Sequence, residues 1–104
     1  MQRVYLDNAA TTAIRPEVVD EMANVMKNIY GNPSSTHVFG REAKALIELS
    51  RKNIAQRLNV TPAEIYFTSC GTESNNTIIR SCVNDLDVTR IITTDMEHKC
   101  VIES

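Results

Sequence analysis

Tryptophan is absent and aromatic residues are only 5% of the 104, so a core here cannot rest on large rings. It has to be built from Leu, Ile, Val, Met and Ala, the common filling of α/β folds. Basic charge is not in excess: the formal net charge is −2, with no Lys/Arg run, which gives no reason to expect nucleic acid or an anionic membrane as partner. No apolar stretch approaches the roughly 18 residues of a membrane helix. Met1-Gln2-Arg3 leads into no signal-peptide hydrophobic region, so a cytoplasmic location is expected. The three cysteines, Cys70, Cys82 and Cys100, are an odd number without a CxxC pair, which indicates neither a disulfide framework nor a zinc site. Reduced thiols are the default. Internal repeats and low-complexity linkers are also lacking, and the length suits one small domain.

The most informative stretch is Tyr66-Phe67-Thr68-Ser69-Cys70-Gly71-Thr72-Glu73-Ser74-Asn75-Asn76. A β-favouring aromatic run stops at a small polar turn and continues as helix. At such a junction the first backbone N–H groups lack intrahelical partners and face the positive end of the helix dipole, which suits a phosphate. Gly71 allows close backbone approach, and Ser69, Thr72 and Ser74 add hydroxyl donors. An ordinary Ser/Thr helix cap accounts for the same residues, and both readings stand. A thiol at a helix N-terminus has a lowered pKa, so Cys70 reads either as reactive or as a substitution without function. Cys82 reads as a small core residue, and Cys100 as similar.

The remaining pattern is an α/β order. Residues 3 to 6 suggest a short extended segment. Pro16 suits a first helical turn, and Val18, Val19, Met22, Val25, Met26 and Ile29 recur at helical spacing, giving a helix to about Asn28. Tyr30 to Thr36 is a loop, with His37 read as a loop residue. A second helix from about Gly40 to Leu58 places Ala43, Leu46, Ile47, Ile54 and Leu58 on one face. Arg41, Lys44, Glu48, Arg51 and Lys52 fall mostly on the other, as solvated surface. Thr61-Pro62-Ala63-Glu64 reads as a turn before a strand at Ile65 to Thr68. A helix from about Thr72 to Asn84 carries Ile78, Ile79, Cys82 and Val83; Arg90 to Thr94 reads as the next strand; and Asp95 to Ser104 begin another helix.

Four stretches taken together resemble one family: Tyr5 to Thr12, Tyr30 to His37, Phe67 to Asn76 and Thr93 to Lys99. In this order and spacing they are similar to the start of a group I (NifS/IscS-type) cysteine desulfurase, within the class V aminotransferase family. The resemblance runs the length of the chain but covers only the first part of that family's polypeptide. It implies the N-terminal part of the α/β fold type I pyridoxal-phosphate enzymes. Residues 1 to 60 would be an arm and two helices, and residues 61 to 104 the first strand-helix-strand of the cofactor-binding large domain. In that fold the two strands are not neighbours. A lone chain would leave them without ladder partners and prone to aggregate, so another polypeptide or the rest of the enzyme is expected as partner.

By the same resemblance, Gly71 and Thr72 match the turn that binds the phosphate of pyridoxal 5'-phosphate. His98 matches the His that stacks on the cofactor ring and is placed for proton transfer. The intact family enzyme is a homodimer. It converts L-cysteine to L-alanine and passes sulfur to a protein persulfide for iron–sulfur cluster assembly or tRNA thiolation. None of Lys27, Lys44, Lys52 and Lys99 matches the family's Schiff-base lysine, and no cysteine here matches its persulfide cysteine. The chain alone is therefore expected to be inactive. Two other readings are a related aminotransferase or selenocysteine lyase, and a noncatalytic or split-enzyme segment acting through a partner chain. Against the first of these, the Asn8 to Thr12 and Asn32 to His37 loops favour the desulfurase.

Overall fold

The computed structural model describes residues 3–103 and divides the chain into two compact units, one through Pro62 and one from Ala63. Each is held by local devices more than by a core. Among the described residues the only buried apolar side chains are Ala43 and Ala55.

In the first unit, the arm is shaped by a turn in which the N–H groups of Ala10 and Thr11 donate to the Asp7 carbonyl, at 3.1 and 3.3 Å. The hydroxyls of Tyr5 and Thr11 lie 2.5 Å apart across it. Helix α1 spans Pro16–Asn28, beginning at the expected proline, whose missing N–H costs nothing in a first turn. Its apolar stripe is largely uncovered, with Val18, Val19, Met22 and Met26 exposed.

Helix α2 spans Val38–Leu58, two residues earlier than expected. The reason is His37, read from sequence as a loop residue but standing at the cap, where its Nδ1 accepts from the Gly40 N–H at 3.4 Å. The 30–36 loop folds back on this helix start. Ser34 N–H donates to Asn32 Oδ1 at 2.9 Å, and Arg41 Nη1 to the Thr36 carbonyl at 2.5 Å. Tyr30 stacks on Phe39 with ring centroids 5.7 Å apart. The approach is close enough that a Cβ on Gly40 would fall on the carbonyl oxygens of Ser35 and Asn32. Along α2 the charged face is not all solvated surface as expected, because Glu48 and Arg51 are half-buried and paired at 3.3 Å. The best-buried residue, Ala55, is not among those expected on the apolar face. Asn59 ends the helix in the left-handed region at φ 56°, and Val60 N–H closes back on the Ala55 carbonyl at 3.0 Å, a Schellman-type stop.

At the boundary Pro62–Glu64 forms one 3-10 turn, and in the second unit a non-helical segment then runs into α3, Gly71–Asn84. Helix α4 is Lys99–Ile102, and α3 and α4 pack together. Two expectations change here. Among the described residues no β-ladder forms, so the segments expected as strands (65 to 68 and 90 to 94) are irregular. A strand is defined by a continuous ladder to a neighbouring strand, and no such ladder runs along these segments. The last helix begins at Lys99 instead of Asp95, since residues 95–97 form a turn and His98 stands at the cap of α4; Ser104 lies outside the described residues. The unladdered segments leave Tyr66 82% and Ile92 89% exposed.

Candidate functional site

All three residues singled out from sequence lie in the second unit, at the starts of its two helices. Gly71 and Thr72 open α3, and His98 caps α4. The α3 ladder begins with Ser74 N–H donating to the Cys70 carbonyl at 3.2 Å, so the N–H groups of Gly71, Thr72 and Glu73 come before it. A Cβ built on Gly71 would meet nothing within 4 Å. Open space and unladdered donors therefore coincide at this turn, on a helix of 14 residues whose dipole adds to the attraction for an anion.

The turn leading into α3 is braced from within. Glu73 reaches back so that its Oε2 accepts from Ser69 N–H at 2.6 Å and from Ser69 Oγ at 2.7 Å. Those two bonds, the hydroxyl's first, hold the Glu73 carboxyl below its ordinary range. Thr68 Oγ1 lies 2.7 Å from Ser74 Oγ, which also donates to the Cys70 carbonyl at 3.3 Å. Ser69 and Ser74, expected as phosphate donors, are thus engaged inside the turn, while Gly71 and Thr72 are exposed.

Cys70 is exposed and stands at the α3 cap, although its side chain makes no cap hydrogen bond. The nearby Glu73 N–H, then the Ser69 hydroxyl and the Thr72 N–H, still favour the thiolate and hold the thiol below its usual range. That is the effect expected of a helix N-terminus.

The α4 start is tied to α3. His98 Nδ1 accepts from Cys100 N–H at 3.2 Å and lies 3.0 Å from Cys100 Sγ. Asn75, one turn into α3, donates from Nδ2 to the same sulfur at 3.1 Å. Cys100 is half-buried and His98 exposed. Sequence reasoning passed over Asn75 and did not connect Cys100 with His98. The His-x-Cys spacing was a signal for that pair, whereas nothing in the sequence joins Asn75 to a residue 25 positions away. An open groove of about 370 Å³, lined by Ile78, Ile79, Ile91, Ile92, Thr94 and Val101 among others, adjoins α3 and α4. It is mostly apolar and includes none of Gly71, Thr72 and His98, touching the site only through Asn75. Among the described residues no cluster of His, Cys, Asp and Glu could hold a metal ion.

Residues 4–104 match the model of the aminotransferase class-V family. The chain belongs to that family. Relatives within and around it sharpen the picture. The cysteine desulfurase IscS of Dictyoglomus turgidum is 46% identical over 104 residues, which take in 98% of this chain and 26% of that protein. The mitochondrial cysteine desulfurase of Saccharomyces cerevisiae is 43% identical over 104 residues, 97% of this chain and 21% of its own length. The solved structure of a NifS-like protein matches with a TM-score of 0.87 at 44% identity, covering 98% of this chain and 28% of that one. The expected fold class holds: this class-V aminotransferase chain has the fold of part of a NifS-like protein, without a ladder among the described residues. It spans about a quarter of the length of the relatives it matches.

Proposed function

We propose that this chain is the N-terminal segment of a cysteine desulfurase, and that its part in the reaction is to anchor and cover pyridoxal 5'-phosphate. The observation that carries the proposal is the α3 start, where N–H groups ahead of the helix ladder, open space over Gly71 and the Thr72 hydroxyl coincide. This donor set fits a phosphate monoester, which needs several hydrogen-bond donors and positive potential but no metal. When bound, pyridoxal phosphate supplies an electron sink for bond breaking at the substrate's α-carbon. The N–H groups of Gly71 and Thr72 and the Thr72 hydroxyl hold the phosphate. His98 presents its imidazole to the cofactor ring and moves a proton.

The substrate would be L-cysteine and the products L-alanine and an enzyme persulfide, for iron–sulfur cluster assembly or tRNA thiolation. The Schiff-base lysine and the persulfide cysteine come from the rest of the fold, in the same polypeptide or a second one, and the assembled enzyme is a homodimer. The compartment we propose is the cytoplasm: the cysteines are free thiols, and among the described residues no helix is long and apolar enough to cross a membrane.

The test is complementation. The chain is combined with a polypeptide supplying the remaining three quarters or so of a relative such as the Dictyoglomus enzyme, and alanine release from L-cysteine is measured. Release from the mixture, with none from either part alone, is the expected result. A mixture that binds the cofactor but releases no alanine rules out the desulfurase reading.

A further inference from the structure

We infer that Cys100 is a positioning residue for His98: its backbone N–H and its thiol hold imidazole Nδ1 as an acceptor, so the neutral ring carries its proton on Nε2, and Asn75 aims the thiol. The use of this for catalysis rests on the proposed role of His98; the hydrogen-bond logic does not.

Three contacts meet at His98 Nδ1 and Cys100 Sγ. A backbone N–H can only donate, and that of Cys100 points at His98 Nδ1 from 3.2 Å. Nδ1 must then keep its lone pair. Cys100 Sγ lies 3.0 Å from the same Nδ1, and with Nδ1 an acceptor the proton of a hydrogen bond between them comes from the sulfur. An amide nitrogen also only donates, so Asn75 Nδ2 at 3.1 Å takes a lone-pair direction on that sulfur, and the S–H is kept for the ring. The neutral imidazole then has one place left for its proton, Nε2.

The consequence for proton handling is directional. The outward nitrogen of exposed His98 is an N–H, ready to donate a hydrogen bond or a proton. To accept a proton there, the ring would first have to change tautomer and break both bonds to Cys100. Cys100 thereby sets the sense in which His98 passes a proton, without touching the reacting atoms itself.

The test is a long-range ¹H–¹⁵N NMR spectrum of the whole chain with ¹⁵N-labelled histidine, at a pH where the rings are neutral. The protein has two histidines, and His37, whose Nδ1 accepts from Gly40 N–H, serves as an internal control for folding. His98 is expected to show Nδ1 as an imine-type and Nε2 as a protonated, pyrrole-type nitrogen. In Cys100→Ala, which keeps the amide N–H and removes the thiol, Nδ1 should remain imine-type but shift downfield as it loses one of its two donors, while His37 stays unchanged. Cys100→Ser should restore the original pattern, and Asn75→Ala should shift it part of the way. Three results overturn the inference: averaged nitrogens for His98 in the unsubstituted protein, a doubly protonated ring accompanied by thiolate absorbance, or a Cys100→Ala spectrum identical to the original. These spectra do not depend on alanine release, so failure of the desulfurase reading and failure of this inference are separately visible.

Discussion

Asn75 and His98 are joined through a single sulfur atom, Cys100 Sγ, which lies 3.1 Å from Asn75 Nδ2 and 3.0 Å from His98 Nδ1. The link fastens a four-residue helix that could not persist alone to a 14-residue one. Asn75→Ala removes a hydrogen bond worth about 1 kcal/mol, so the amides of α4 should exchange with solvent roughly five times faster. Hydrogen exchange by mass spectrometry checks this. Unchanged α4 exchange would mean that apolar contacts alone hold the helix.

Cys70 should be the first of the three thiols to be alkylated. Lowering its pKa raises the thiolate fraction at neutral pH, and it is exposed where Cys82 and Cys100 are half-buried. Its iodoacetamide rate should rise with pH around a midpoint below the ordinary thiol value of about 8.5. Phosphate bound at the Gly71 and Thr72 N–H groups would add negative charge beside it, so inorganic phosphate should slow the reaction. Peptide mapping of the labelled protein reads both effects.

Glu73 gives the α3 start a dependence on acid. Its carboxyl is held below the ordinary range by the Ser69 hydroxyl and N–H, so the unfolded state binds the proton more readily than the folded state. The stabilisation is therefore present above the ordinary glutamate value of about 4.3 and is lost as pH falls through the lower folded value. Ser69→Ala removes the larger cause and should move the Glu73 titration upward toward that ordinary value, as followed by carboxyl ¹³C shifts. Glu73→Gln should leave the α3 start insensitive to acid over the same window.

Two glycine substitutions should behave oppositely. Gly40→Ala drives a Cβ onto the Ser35 and Asn32 carbonyls and should cost about 1–3 kcal/mol as the loop is displaced. Gly71→Ala meets open space and should leave folding intact while weakening phosphate binding. Thermal melts of the two variants, with and without pyridoxal phosphate, separate the cases.

How much of the fold is legible in the sequence depends on which forces are local. Pro16, the apolar spacing of α1 and the Ser/Thr-rich turn before α3 signal their elements within a few residues, and those helices lie where the pattern places them. His37 and His98 act as caps through ring nitrogens, a use that helix-start rules built on Ser, Thr, Asp and Asn do not anticipate, so the starts of α2 and α4 differ from expectation. The 65–68 and 90–94 segments have strand composition, but forming a ladder depends on a neighbour that is distant in sequence. The α3 turn is legible because its donors are consecutive. The Asn75–Cys100–His98 link is not, since it needs two helices to meet.

The claim at the centre of this account is that the start of α3 grips the phosphate of pyridoxal phosphate, and the most direct measurement is a pair of binding titrations on the assembled protein. Pyridoxal 5'-phosphate and pyridoxal, which lacks the phosphate, are titrated into the unsubstituted protein and into Thr72→Val. The account predicts that the substitution weakens pyridoxal phosphate binding about tenfold, the loss of one hydrogen bond to a charged group, and leaves pyridoxal binding unchanged. Equal effects on both ligands, or none on either, would contradict it.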